Sequence, residues 1–192
     1  MSHAETASMP RRRGPETGGK LIAAAAAEFN EHGYQGTDTN RIARRAGFAP
    51  QTFYRWFADK TEIFIRVYED WQQQEAAMLR RLLAERAPDV RLAEACVDHH
   101  RAYLRFRRSL RQLAVENAQV RAARAASRLR QIEFLRGLGP SRRDPAQLAV
   151  TLLKLERLSD ALAEGELVDM GLSPTAAVAA LAEIIHQLRQ QD

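Results

Sequence analysis

The chain lacks several features that would assign it to large classes of protein. Only one of its 192 residues, Cys96, is a cysteine, so no disulfide forms within the chain and we expect a reducing, cytoplasmic location. No run of 18 uncharged apolar residues is present, which argues against a membrane-spanning helix, and the N-terminus lacks the basic, then apolar, layout of a secretory signal. No alternating run of β-branched residues predicts a strand. The seven prolines, the ten glycines and the many Leu, Ala and Arg residues favour an all-α fold.

Residue patterns typical of enzymes are also absent. The sequence contains no nucleophile with a base at a recognisable spacing, no paired carboxylates, no phosphate-binding glycine loop and no metal-ligand spacing. His99 and His100 are adjacent, so their side chains point about 100° apart on a helix and are poorly placed to bind one metal ion. We therefore expect no enzymatic activity, no catalytic residue, no metal and no cofactor.

Residues 37–60, TDTNRIARRAGFAPQTFYRWFADK, have the layout of a helix-turn-helix. Ile42, Ala43 and Ala46 have the spacing that places them on one buried helical face. Gly47 is positioned to end this helix in a left-handed turn, and Pro50 is positioned to start the next one. The segment therefore predicts two short helices joined by a glycine turn.

The second of these helices presents hydrogen-bonding side chains to the outside. Phe53 and Phe57 are four residues apart and point inward. The side chains left available to a ligand are those of Gln51, Thr52, Tyr54 and Arg55. A short helix with this polar face suits the major groove of DNA.

Residues 23–60 resemble the N-terminal domain of TetR-type transcriptional repressors. The matching features are Phe29, Gly33-Tyr34, Thr37, Ile42-Ala43, Ala46-Gly47, the aromatic run from Phe53 to Phe57, and Lys60. One position departs from the family: a Ser or Thr commonly precedes the proline and caps the recognition helix, whereas this chain has Ala49.

The resemblance implies the fold and the function of the whole chain. We expect a three-helix helix-turn-helix domain, followed by a larger helical regulatory and dimerisation domain, with about nine helices in total. The implied function is that of a homodimeric regulator, most simply a repressor, that a small-molecule effector releases from a palindromic double-stranded DNA operator.

The resemblance also assigns roles to the DNA-binding side chains. Base edges would be read by Gln51, Thr52 and Arg55. Phosphates would be touched by Thr39, Asn40, Tyr54 and Lys60, although packing is an alternative role for Tyr54. Arg41 and Pro50 complete the predicted DNA-binding set.

Three regions follow from the patterns along the chain. Residues 1–15 predict a disordered basic arm whose Arg11-Arg12-Arg13 either lies in a minor groove or is solvated. Residues 16–60 form the helix-turn-helix domain, and residues 61–192 form the ligand-binding and dimerisation domain. Helical spacing in the last region predicts helices at about 61–86, 90–107, 109–117, 119–137, 145–170 and 174–190.

By resemblance, the larger domain contains an effector pocket and a dimer interface on its last two helices. The pocket candidates are Trp71, Gln74, Met78, Cys96, His99, Tyr103 and Phe134. Gln74 interrupts an apolar stripe and either meets solvent or lines a cavity, whereas each of the others is singly more typical of a core. The interface candidates are Leu155, Leu162, Gly165, Leu181, Ile184, Ile185 and Leu188.

Charge is unevenly distributed along the chain, whose net charge is +5. Residues 91–143 carry 13 basic and 4 acidic side chains, whereas residues 144–192 carry 3 basic and 8 acidic ones. One hypothesis is that the basic segment serves an anionic effector. The alternative, which we favour at this point, is that its arginines are solvated or pair with the acidic segment.

Overall fold

The computed structural model describes residues 15–137 and 144–190, which form ten helices and no strand. The helices are α1 Pro15–His32, α2 Thr39–Arg45, α3 Pro50–Phe53, α4 Lys60–Ala84, α5 Asp89–Ala102, α6 Leu104–Glu116, α7 Ala118–Gly137, α8 Pro145–Glu164, α9 Glu166–Asp169 and α10 Thr175–Gln190. The all-α prediction is confirmed. The predicted arm lies outside the described residues except for Pro15, and no helix in the described ranges is long and apolar enough to cross a membrane.

The first hydrophobic core joins α1 to α4 with α6 and the start of α7. Phe29 of α1 meets Phe64 of α4 edge to face, with ring centres 5.0 Å apart. Phe64 in turn lies 4.9 Å from the ring of Phe106 on α6. The core of the N-terminal unit therefore continues across the predicted domain boundary at residue 60, because the first half of α4 packs into it.

A second, smaller core lies between α5, α8 and α10. Its fully packed members are Ala93, Val97, Leu162 and Leu181. These apolar side chains hold the C-terminal helices against α5 within a single chain.

The predicted helix at 90–107 is wrong, because the chain breaks between α5 and α6. Tyr103 adopts φ −119° and ψ 31° and separates the two helices. The break allows α6 to dock on α1: Arg105 donates to the backbone oxygen of Glu31 at 2.6 Å, and the backbone N–H of Tyr34 donates to Ser109 Oγ at 3.0 Å. Contacts distant in sequence thus outweigh the continuous helical spacing.

The predicted helix at 145–170 is also wrong at its end. Gly165 adopts a left-handed conformation, with φ +83°, and ends α8. A side chain would be strained at this φ, so the glycine is suited to a helix terminus. Val168 therefore lies exposed on the short α9, and the described residues form ten helices rather than the expected nine or so.

Candidate functional site

The two helices of the helix-turn-helix are positioned by a helix cap, a glycine turn and buried apolar side chains. Asp38 caps α2 by accepting a hydrogen bond from the backbone N–H of Arg41 at 2.8 Å. Gly47 turns the chain at φ +79°, and the anchors Ile42, Ala43 and Phe53 are fully buried. The predicted two helices and turn are therefore present, and α3 begins at Pro50 as the sequence indicates.

The start of α3 lacks a side-chain cap. Ala49 occupies the cap position in an extended conformation, φ −66° and ψ 148°, and offers no side-chain acceptor. Only the backbone closes the first turn, where the N–H of Thr52 donates to the oxygen of Ala49 at 2.9 Å. The departure noted in the sequence thus leaves the N–H of Gln51 without a side-chain cap at this helix start.

The outer surface of α2 and α3 carries most of the predicted DNA-binding side chains. Asn40, Gln51, Tyr54 and Arg55 are exposed, and Tyr54 is 59% exposed. The hydroxyls of Thr39 and Tyr54 lie 2.9 Å apart and share a hydrogen bond. The hydroxyl of Tyr54 is therefore fixed by a residue of α2, while the ring of Tyr54 remains accessible. Thr52 and Pro50 are half-buried beside these side chains.

Arg41 is held within the domain, which the sequence-based assignment to DNA did not anticipate. Its Nε donates to Oε2 of Glu28 at 2.9 Å, and Arg45 donates to Oε1 of the same carboxylate at 3.1 Å. Burial alone would raise the pKa of Glu28, but the hydrogen bonds from both arginines hold it below its ordinary value. Arg41 thus fastens α2 to α1.

Lys60 also has partners inside the domain. Its ammonium donates to the backbone oxygens of Tyr34 at 2.8 Å and Thr37 at 2.9 Å, and it lies 4.1 Å from the centre of the Tyr34 ring. Burial lowers the pKa of Lys60, and the charge on Asp38 opposes that shift. The side chain predicted to meet phosphate therefore closes the turn between α1 and α2 with two of its three hydrogens.

The structure brings several predicted pocket residues together at α4 and α5. The ring of His99 stacks on Trp71 at 4.8 Å and lies 5.5 Å from the ring of Tyr103. The Tyr103 hydroxyl donates to Gln74 at 3.0 Å. These contacts form a filled aromatic cluster rather than an open cavity.

The remaining pocket candidates lie apart from this cluster or in shallow sites. Phe134 is 53% exposed on α7. Met78 lines a surface depression of about 410 Å³ together with Gln74. Burial raises the pKa of the Cys96 thiol, so this thiol is kept protonated and unreactive at neutral pH.

The sequence analysis missed a buried ion network between α6, α7 and α8. Arg107 of α6 donates to Asp160 of α8 at 3.0 Å from Nη2 and at 3.1 Å from Nε. Arg124 of α7 donates to Glu156 at 2.5 Å. A signal existed in the four-residue spacing of Arg107 with Arg111 and of Glu156 with Asp160, which places each pair on one helical face. The favoured interpretation of the charge pattern, pairing between the two segments, applies to these arginines.

The predicted dimer interface needs correction at its centre. Leu181 is 0% exposed, and Leu162 is buried with it in the second core. Leu155 and Ile185 pack against the same core and are partly buried, and Gly165 serves as the end of α8. Ile184 and Leu188 are half-buried. Helical spacing located an apolar face correctly but could not tell that α5 of the same chain covers it.

Comparison with known proteins identifies the N-terminal domain. Residues 21–67 match the family model described as bacterial regulatory proteins, tetR family. A Bacillus subtilis protein named as an uncharacterised HTH-type transcriptional regulator, YdgC, is 31% identical over 75 residues, which are 39% of this chain and 38% of that protein. The match thus spans well under half the length of this relative.

Solved structures extend the similarity to the whole fold. A Rhodococcus sp. protein described as a TetR-family transcriptional regulator superposes with a TM-score of 0.68 at 18% identity, covering 90% of this chain and 98% of that one. The regulator FadR from Bacillus subtilis, solved in complex with stearoyl-CoA, gives 0.58 at 17% identity with the same two coverages, 90% and 98%. These relatives are named as transcriptional regulators and not as enzymes. Residues 21–67 therefore resemble a TetR-type N-terminal domain, and the described helices as a whole share the fold of these solved regulators.

Proposed function

We propose that this protein is a homodimeric, DNA-binding transcriptional regulator that a small-molecule effector releases from a palindromic operator. The observation that carries the proposal is the exposed polar face of α3, with Gln51, Tyr54 and Arg55 directed outward from the buried Phe53. A rigid helix with this face can place its side chains against base edges in the major groove.

The roles of the DNA-binding residues follow from their exposure. Gln51 and Arg55 are free to contact base edges, with Thr52 beside them. Tyr54 and Asn40 are the candidates for contacts with the phosphates that flank the groove. Arg41 and Lys60 contribute to the positive potential, although their main partners lie within the domain.

Selection from random double-stranded DNA with the full chain tests this function. We expect an enriched palindromic motif for the wild type. Gln51→Ala should relax the preference at one base pair in each half-site, since a good bidentate contact discriminates by about 1–3 kcal/mol. Tyr54→Phe serves as the comparison, because loss of a phosphate contact weakens binding to every sequence alike. The proposal fails if the wild type enriches no motif.

The dimer requires a surface that the second core leaves uncovered. On α8 the exposed residues Val150, Leu153 and Arg157 share one helical face. On α10 the exposed residues Ala176, Ala180 and Glu183 do the same. We assign the two-fold contact to these faces, in place of Leu162 and Leu181, because a dimer would present two copies of α3 to two half-sites.

Release by an effector requires that it bind one arrangement of the two DNA-binding heads better than the other. A tenfold preference corresponds to about 1.4 kcal/mol, within the usual range of allosteric coupling. The FadR regulator that shares this fold was solved with stearoyl-CoA bound, and this supports a ligand-binding role for the body formed by α4 to α10. Titration of candidate effectors into the complex with the selected DNA tests it.

A further inference from the structure

The interior next to Trp71 is charged, although it lies where an all-α protein usually packs apolar side chains. Arg107 is 1% exposed, and its guanidinium lies 4.5 Å from the centre of the Trp71 ring. The same guanidinium donates from Nη2 to Glu156 at 3.1 Å. An arginine is costly to bury unless its charge is paired, and here the pairing depends on carboxylates of α8.

Glu156 accepts hydrogen bonds from three arginines at once. Besides Arg107, Arg124 donates to Oε1 at 2.5 Å and Arg128 donates to Oε2. Burial alone would raise the pKa of Glu156, but the three guanidinium groups lower it to about 2. The carboxylate is thus ionised throughout the neutral range. We refer to Arg107, Arg124 and Arg128 as the arginine cluster.

The arginine cluster has more hydrogen-bond donors than its carboxylate satisfies. Within the described ranges, Arg124 Nε and Trp71 Nε1 are buried without a hydrogen-bond partner. Both atoms are N–H donors, on residues that are 5% and 1% exposed. A buried donor without an acceptor costs roughly 1–3 kcal/mol, so an anion that places an acceptor oxygen on Arg124 Nε would be favoured here.

The arginine cluster can be reached from solvent. The side chain of Arg128 is 27% exposed and that of Glu156 is 17% exposed, whereas Arg107 lies deepest. A ligand would therefore approach between α7 and α8 and meet Arg128 first. Guanidinium groups match both carboxylate and phosphate geometry, because each offers parallel N–H donors.

We propose that the arginine cluster is an anion-binding effector site in which Glu156 takes the place of the effector's carboxylate or phosphate group. An anionic effector displaces Glu156 and supplies acceptors to Arg124 and to its neighbours. This inference rests on the proposed regulatory function, since it names the chemical class of the effector.

The site is joined to the DNA-binding domain through α6. Arg107 belongs to the arginine cluster, and the preceding residue, Phe106, packs on Phe64 in the first core. Ser109, one half-turn further, accepts the hydrogen bond from Tyr34 at the end of α1. When Glu156 is displaced, Arg107 keeps its hydrogen bonds to Asp160 but exchanges its second carboxylate partner. The exchange therefore acts directly on the helix that holds α1.

Calorimetric titration of the full chain tests the site, with propionate and inorganic phosphate as separate probes at constant ionic strength. Propionate reproduces the end of a glutamate side chain, and phosphate offers more oxygens. Glu156→Gln removes the competing charge, so it should bind the preferred probe at least tenfold more tightly than the wild type. Adding Arg128→Gln to this variant should abolish the gain. Glu133→Gln, which neutralises an exposed glutamate paired with Arg136 on the outside of α7, should bind like the wild type.

A charge-conserving variant keeps the test decisive if Glu156→Gln does not fold. Glu156→Asp retains the charge but draws the carboxylate back by one methylene, and it should also bind the probe more tightly than the wild type. Equal affinity of the wild type and the folded Glu156 variants for both probes overturns the proposal. Preference for propionate or phosphate identifies which of the two groups the effector carries.

Measurements of DNA binding distinguish a failure of this inference from a failure of the proposed function. If selection returns no DNA motif, the regulatory function fails, whereas the titration still decides whether the cluster binds anions. If a motif exists, the bound probe should weaken the affinity of Glu156→Gln for it by at least threefold. Tight probe binding without any change in DNA affinity would overturn the effector role.

Discussion

At the scale of single residues, some side chains that were expected to touch DNA also hold the helices of the DNA-binding domain together. The sequence pattern marked Arg41 and Lys60 as exposed positive charges. The structure pairs Arg41 with the buried Glu28 and places the Lys60 ammonium on two backbone oxygens. Exposure along a helix can be inferred from spacing, but a partner on another element cannot: Glu28 lies on α1, and Lys60 meets oxygens in the loop before α2.

Lys60→Met should lower the free energy of unfolding by roughly 1–3 kcal/mol, because two part-buried hydrogen bonds from a charged group are lost. Chemical denaturation without DNA measures this effect. Lys20→Met is the matched control, since Lys20 is an exposed lysine that pairs only with the neighbouring Glu16, and its loss should change stability little. An unchanged unfolding free energy for Lys60→Met would assign this lysine to DNA alone.

At the scale of helices, α3 illustrates how much the sequence could predict. Pro50, Phe53 and Gly47 predicted its position correctly, because each acts through local geometry. The break at Tyr103 had no such signal: neither proline nor glycine is present, and the helix stops because α6 gains contacts with α1. The buried ion network was likewise visible only as a charge pattern, since its pairs join residues about 30 to 60 positions apart.

Ala49→Ser should stabilise the start of α3 by about 1 kcal/mol, because a serine oxygen at the cap can accept from a free backbone N–H. Thermal unfolding of the full chain would show the gain as a higher midpoint. Ala125→Ser, at an exposed position within α7, is the control and should be neutral or slightly destabilising. A lower midpoint for Ala49→Ser would mean that the backbone at this position cannot present the hydroxyl to the helix.

The pairing of α8 with α6 and α7 predicts a dependence of stability on acidity. The pKa of Glu156 falls from an ordinary 4.5 to about 2 in the folded chain, and that of Asp160 is also lowered against burial by His100 and Arg107. A carboxylate with a depressed pKa stabilises the fold above its ordinary pKa and loses this contribution as the pH falls towards the folded value. The fold should therefore weaken steeply between pH 4.5 and about 2.

Denaturation series at several pH values across this range measure the slope. Glu156→Gln cannot bind the proton that destabilises the wild type, so the dependence of its unfolding free energy on pH should be shallower. Glu133→Gln should retain the wild-type slope, because Glu133 is exposed. Equal slopes for the wild type and Glu156→Gln would show that Glu156 does not hold the network together.

At the scale of the whole molecule, one hydrophobic core holds the helix-turn-helix and a second one holds the C-terminal helices. The first core unites α1 to α4 with α6, and the second fixes α8 and α10 on α5. The ion network lies between the two cores and contacts α6, α7 and α8. The sequence suggested a domain boundary at residue 60, but the first core continues across it into α4. In the proposed regulator, this shared packing would connect the body formed by α4 to α10 with the helix-turn-helix.

The outer faces of α8 and α10 should carry the dimer contact, and Leu153→Arg tests this assignment. Leu153 is 39% exposed in the single chain, so arginine there should leave the subunit folded but place two charges against each other across a two-fold axis. We expect monomers by analytical ultracentrifugation, an unchanged circular dichroism spectrum and loss of tight binding to the full palindrome. Val115→Arg, at a position 78% exposed at the end of α6, should remain dimeric. Leu181→Arg should unfold the subunit instead, because Leu181 lies within the second core. A dimer that survives Leu153→Arg would move the interface to another face of the molecule.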